Sequence, residues 1–192
     1  MRHIPNLLTL LRLFMIPFYF VVFYSGSEQA TFYALIVFVV ASMTDVLDGY
    51  LARKLDVVSK FGTLADPFAD KLMQVSVLYS LSDAAFLKDW FFWIILVKEI
   101  LQIALGTFMI SMKPKMIMPA NIFGKVTTVL IFLTIILAVF EVSGIVALQT
   151  IVAVMAIVTF CQYAYKFMLG LQERRAVCRK TPRKGIVSGV FA

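Results

Sequence analysis

Asp45, Asp48, Asp66 and Asp70 are four of the five aspartates in one 26-residue stretch of a chain that is 61% hydrophobic. They are four of only eleven acidic residues. Carboxylates in such surroundings are costly and mark a metal, a proton path or a substrate site. Asp45 and Asp48 are three residues apart, and Asp66 and Asp70 four. On a helix, either spacing puts both carboxylates on one face. Two such helices joined by the short segment 50–61 run antiparallel and bring all four groups to one depth at a membrane edge. Four convergent carboxylates repel one another and raise their pKa values. Divalent ions relieve that repulsion, and oxygen-only donors suit Mg²⁺, Mn²⁺ or Ca²⁺ rather than zinc. Helix capping, or ion pairs with Arg53 and Lys71, would explain a single aspartate. Neither explains all four together with Gly49 and Gly62. Gly49 permits close approach of backbone or ligand beside Asp48. Gly62 opens space opposite, and Ala52 keeps the groove small-walled. Arg53, one turn after Gly49, offers forked donors to a phosphate.

These residues need elements to position them, and composition says which. Only 15% of residues are charged, against roughly 25% in a soluble domain. Apolar runs recur along the chain, and the cleanest, 142–165, is uncharged throughout. A soluble helical bundle needs a polar face on each helix, which 126–140 and 142–165 lack. The expectation is an all-α integral membrane protein with six transmembrane helices and a short N-terminal interfacial segment. The spans are placed at about 7–25, 29–49, 62–82, 90–111, 120–140 and 144–168, each about the 20 residues a bilayer requires. The third is the weakest, since it carries Asp66, Asp70 and Lys71. Residues 1–170 form the membrane domain and 171–192 a basic cytoplasmic tail.

The net charge is +7. The basic residues cluster between apolar runs, which reads as topology and attraction to anionic lipid rather than as nucleic-acid binding. Arg2, Arg12, Arg53, Lys54, Lys60, Lys113, Lys115 and the tail fall in one set of connections. Glu28, Asp83, Lys88, Asp89 and Glu141 fall in the other. The positive-inside rule puts the first set, and both termini, in the cytoplasm. Asn6 and Thr9 are candidate caps, and Arg12 is a candidate for snorkelling. The two cysteines, Cys161 and Cys178, indicate neither a disulfide framework nor a metal site.

The pattern Asp45-x2-Asp48-Gly49-x2-Ala52-Arg53-x8-Gly62-x3-Asp66-x3-Asp70 resembles the CDP-alcohol phosphatidyltransferase signature at every fixed position. The resemblance extends over nearly the whole chain. It implies an enzyme of a bacterial inner membrane, a likeness to homodimeric relatives, and a pair of Mg²⁺ or Mn²⁺ ions. The implied reaction cleaves CDP-diacylglycerol, releases CMP and joins the phosphatidyl group to a small alcohol or alcohol phosphate. Carried onto this chain, Asp45, Asp48 and Asp66 ligate metal. Asp70 contacts the second ion and acts as general base. Gly49, Ala52 and Gly62 line the cytidine and diphosphate pocket, and Arg53 contacts the diphosphate.

The start Asn6-Leu-Leu-Thr9-Leu-Leu-Arg12 with Pro17 resembles the bacterial phosphatidylglycerolphosphate synthase branch, whose acceptor is glycerol 3-phosphate. Gly124-Lys125 resembles that branch too, and Lys125 is a candidate contact for an acceptor phosphate. Its bland alternative is ordinary positive-inside placement. Lys98-Glu99 resembles the branch's Arg-Glu pair with lysine in place of arginine. A further arginine usual near the position of Leu105-Gly106 is missing. Lys113 and Lys115 replace its charge or mark another acceptor, as in a cardiolipin synthase using phosphatidylglycerol. A divalent-ion carrier and a lipid hydrolase are the rival classes. The carrier more often binds at mid-membrane, and the hydrolase needs no acceptor.

Overall fold

The computed structural model describes residues 4–54, 62–111 and 122–180, with side chains described over 11–44, 68–108 and 122–169 and at 172. Every regular element among these residues is a helix: α1 (Ile4–Phe23), α2 (Ala30–Lys54), α3 (Gly62–Asp83), α4 (Asp89–Ser111), α5 (Ile122–Val139) and α6 (Ile145–Lys180). Long apolar runs favour helices here because a helix satisfies its own backbone groups without water. The breaks fall at residues that leave helical geometry. Gly26 and Gly144 have φ of 73° and 88°, and Ala85 and Glu141 sit at 62° and 50°. Pro17 lies inside α1, where its ring removes one backbone donor from the ladder.

The helices pack around one core. α1 lies on α2 and α3, α3 on α4 and α5, α2 on α5, and α6 on α4 and α5. Tyr19, Leu78, Phe91, Ile95, Ile131, Ile135 and Val152 are enclosed at its centre. Several buried hydroxyls are satisfied by a partner on a neighbouring helix or one turn back. Tyr19 and Ser80 share a 2.6 Å hydrogen bond between α1 and α3. Thr127 and Thr159 share one of 3.0 Å between α5 and α6. Thr134 donates to the Leu130 carbonyl at 2.8 Å, one turn back, as a buried hydroxyl must when no water is near. At one end of the bundle the Tyr24 hydroxyl donates to Asp83 Oδ2 at 2.7 Å. Nearby, the Ser82 hydroxyl donates to Asp89 Oδ1 at 2.8 Å, and the Lys88 N–H to Gln149 Oε1 at 3.3 Å. These bonds tie the α3–α4 connection to the ends of α1 and α6.

The all-α expectation agrees with these six helices, but six transmembrane helices are not found. Among the described residues, three segments are long and apolar enough to cross a bilayer: Asp89–Phe108, Ile122–Val139 and Ile145–Leu169. The physical reason lies in the carboxylate stretch. α2 is apolar only over Ala30–Thr44, which rises roughly 22 Å and falls short of a core of about 30 Å. Its remaining turns carry Asp45, Asp48, Arg53 and Lys54. α3 begins with Asp66, Asp70 and Lys71, and the apolar part of α1 is only Leu11–Phe23. A separate N-terminal interfacial segment is not found either, because residues 4–23 form one continuous helix. Arg12 is buried, with interaction partners, rather than extended to the surface.

α6 runs past Gly170 to Lys180, a rise of roughly 54 Å that exceeds the thickness of the hydrocarbon core. Its basic final turns therefore project beyond the apolar segment. Residues 181–192, Lys60, Lys113 and Lys115 lie outside the described residues.

Candidate active site

The site is built from the end of α2 and the start of α3. Asp45, Asp48, Gly49, Ala52 and Arg53 occupy consecutive turns of α2, which stays helical to Lys54. Gly62 begins α3, and Asp66 and Asp70 follow on its early turns. Helical register gives Asp45 and Asp48 one face, and Asp66 and Asp70 one face. α2 and α3 pack against each other. The seven residues 55–61 reach at most about 25 Å when extended. That is shorter than α2, which rises about 37 Å, so the start of α3 stays near the end of α2. The two carboxylate pairs therefore belong to one end of the bundle.

Asp45, Asp48, Gly49, Ala52, Arg53, Gly62 and Asp66 are described as helix backbone only. Asp70 is described and is half-buried. It makes no hydrogen bond or ion pair among the described residues. Its neighbour Lys71 turns to α4 instead, with Nζ 3.3 Å from Glu99 Oε1. Among the described residues no three acidic, histidine or cysteine side chains gather to hold a metal. The donor set fits a hard divalent cation on its chemistry. All four candidate donors are carboxylates, and Asp70 is not already occupied by Lys71.

The acceptor-side candidates lie on α4 and α5. Lys98 and Glu99 form an ion pair within α4, with Nζ and Oε1 2.8 Å apart. Both are almost wholly buried. Lys125 is exposed on the first turn of α5. Thr127 is fully enclosed against Thr159, which makes it a joint between α5 and α6. The exposed Thr128 hydroxyl donates to the Gly124 carbonyl at 3.1 Å. A Cβ built on Gly106 would meet nothing within 4 Å, so the position of the missing arginine faces open space. A groove of about 440 Å³ between α4 and α6 is lined by Trp93, Val97, Lys98, Leu101, Ile157 and Phe160 among others. Asp70, the signature aspartate whose side chain is described, is not among its lining residues.

Sequence reasoning weighed Lys71 only as an alternative partner for the aspartates and did not find its partner Glu99, 28 residues away. A buried pair between helices leaves no local spacing signal. The lone charged residues of an apolar span were the only clue.

Comparison with known proteins bears on the same residues. The profile of the CDP-alcohol phosphatidyltransferase family matches residues 2–162. A protein of Wigglesworthia glossinidia brevipalpis is 34% identical over 134 residues, covering 66% of this chain and 70% of the relative. One from Rickettsia bellii is 35% identical over 129 residues, covering 67% and 70%. One from Escherichia coli K12 is 33% identical over 132 residues, covering 66% and 70%. All three are named CDP-diacylglycerol–glycerol-3-phosphate 3-phosphatidyltransferase. With its signature intact on two packed helices and the profile matching most of its length, the chain belongs to the CDP-alcohol phosphatidyltransferase family.

Proposed function

We propose that this enzyme transfers the phosphatidyl group of CDP-diacylglycerol to glycerol 3-phosphate, giving phosphatidylglycerolphosphate and CMP. The observation that carries the reading is the pair of packed helices, α2 and α3, with carboxylates at helical spacing on adjoining ends. The names of the relatives support the choice of acceptor.

In this reading Asp45, Asp48, Asp66 and Asp70 hold two divalent cations, Mg²⁺ or Mn²⁺, which suit all-carboxylate donors. When bound, such ions neutralise charge on the diphosphate and make CMP a better leaving group. Arg53 orients the diphosphate with its forked donors. Gly49, Ala52 and Gly62 keep the walls of the nucleotide pocket low. Asp70 takes the proton from the acceptor hydroxyl as that oxygen attacks phosphorus. The O–P bond to the acceptor forms as the bond to CMP breaks. Direct transfer inverts phosphorus and needs no serine or cysteine nucleophile. Lys125, exposed at the start of α5, holds the acceptor phosphate.

The same reading places the enzyme in a bacterial inner membrane as a homodimer. Its basic connections and both ends lie on the cytoplasmic side, where the tail 171–192 meets anionic lipid. That orientation rests on charge alone.

The test is purified protein with CDP-diacylglycerol, Mg²⁺ and a panel of acceptors: glycerol 3-phosphate, phosphatidylglycerol, serine, inositol and inositol phosphate. Phosphatidylglycerolphosphate is the expected product. Cardiolipin formed from phosphatidylglycerol in its place would contradict the acceptor assignment. Lys125→Ala is expected to raise the apparent KM for glycerol 3-phosphate about tenfold, as loss of one charge-assisted contact should. An unchanged KM would remove Lys125 from the acceptor site.

A further inference from the structure

We infer that Glu99 is a positioning residue that holds Lys71 against α4 and so keeps this cation off the carboxylate face of α3. The inference rests on the reading of the α2–α3 carboxylates as a cation site. Lys71 directly follows Asp70. Neighbouring residues of a helix diverge by about 100° around its axis, so the two side chains leave α3 in different directions. Lys71 Nζ meets Glu99 Oε1 at 3.3 Å and Gln74 Oε1 at 3.4 Å. Lys98 Nζ donates to the same Glu99 oxygen at 2.8 Å. One carboxylate oxygen thus holds two cations from two helices.

Exposure decides which cation is free to move. Glu99 and Lys98 are 2% and 5% exposed, whereas Lys71 is 19% exposed. Removing the Glu99 charge leaves both lysines without their shared counter-ion in a poorly solvated place. Lys98 is enclosed. Lys71 has an open side and a flexible four-carbon stem. The carboxylate adjoining it in the chain, Asp70, has no ion pair among the described residues. A lysine that turns to Asp70 competes with a divalent cation for the same oxygens. Glu99 Oε2 and Gln74 Nε2 are buried without hydrogen-bond partners. The cluster is thus incompletely satisfied and is poorly explained as a device for stability alone.

The experiment measures Mn²⁺ binding to the full chain in detergent, without substrate, from the electron paramagnetic resonance signal of free Mn²⁺. Glu99→Gln should weaken binding at least about fivefold, and adding Lys71→Gln should return it to within about twofold of the parent, the coupling expected of residues in one network. Melting temperature is read on the same variants: Mn²⁺ affinity should fall and recover with little change in it, whereas a melting temperature that moves in step with affinity marks a merely structural role and overturns the inference. Should Glu99→Gln fail to fold, Glu99→Met, which also removes the charge and suits an apolar surrounding, carries the same comparison with and without Lys71→Gln. Parent-like Mn²⁺ affinity in Glu99→Gln, or no recovery in the double variant, overturns the positioning role while leaving the cation site in place. A parent protein that binds no Mn²⁺ overturns both.

Discussion

Asp70→Asn is expected to lower turnover about 10³-fold, the middle of the range for loss of a positioned general base. That corresponds to roughly 4 kcal/mol of transition-state stabilisation. The substitution is nearly isosteric and keeps α3 intact, because Asp70 is half-buried and bonds to no other described residue. What it removes is a proton acceptor. Nucleotide affinity should change far less than turnover, since the acceptor hydroxyl and not the nucleotide gives up the proton. Steady-state CMP release, together with calorimetric binding of a CDP-lipid, separates the two effects. Normal turnover in this variant would show that Asp70 is not the base.

Asp48→Asn is expected to produce a loss of similar size for a different reason. Here a charge is taken from the proposed cation site, and loss of charge stabilisation at the diphosphate is worth several kcal/mol, or roughly 10²–10⁴ in rate. The two variants differ in response to metal. Raising Mn²⁺ should recover part of the Asp48→Asn activity, because the defect is affinity. It should recover little in Asp70→Asn, because the missing group is the base. An Asp48→Asn enzyme with the parent's metal requirement would exclude Asp48 as a ligand.

The helices were largely legible in the sequence because apolar runs end at residues that leave helical geometry. The expected third span, 62–82, is α3 (Gly62–Asp83), and the fourth, 90–111, is α4 (Asp89–Ser111). Span number was not legible. The carboxylate stretch that identifies the site also shortens the apolar part of α2 to Ala30–Thr44, so a helix and a membrane span cease to be the same thing. The change to basic composition after Gly170 was a poor guide to where α6 ends, since charged residues continue a helix readily.

At the site, local spacing carried the reading and long-range pairing did not. The helical phase of Asp45 with Asp48, and of Asp66 with Asp70, follows from the sequence once α2 and α3 are helices. Lys98 and Glu99 are the only charged residues inside the apolar part of α4, so their pairing was foreseeable. The reach of Lys71 across to Glu99 depends on how α3 packs on α4, which no spacing encodes. The burial of Arg12 depends likewise on packing. The missing arginine beside Gly106 weighed against glycerol 3-phosphate, whereas the names of relatives 33–35% identical weigh for it.

The central claim is that the carboxylates of α2 and α3 carry out cation-dependent transfer to an alcohol. The most direct measurement is the rate of CMP formation from CDP-diacylglycerol by the purified protein, with and without glycerol 3-phosphate and with and without chelator. CMP should appear only when both the divalent cation and the acceptor are present, in equal amount to phosphatidylglycerolphosphate. CMP released without acceptor, or undiminished by chelator, would contradict the account.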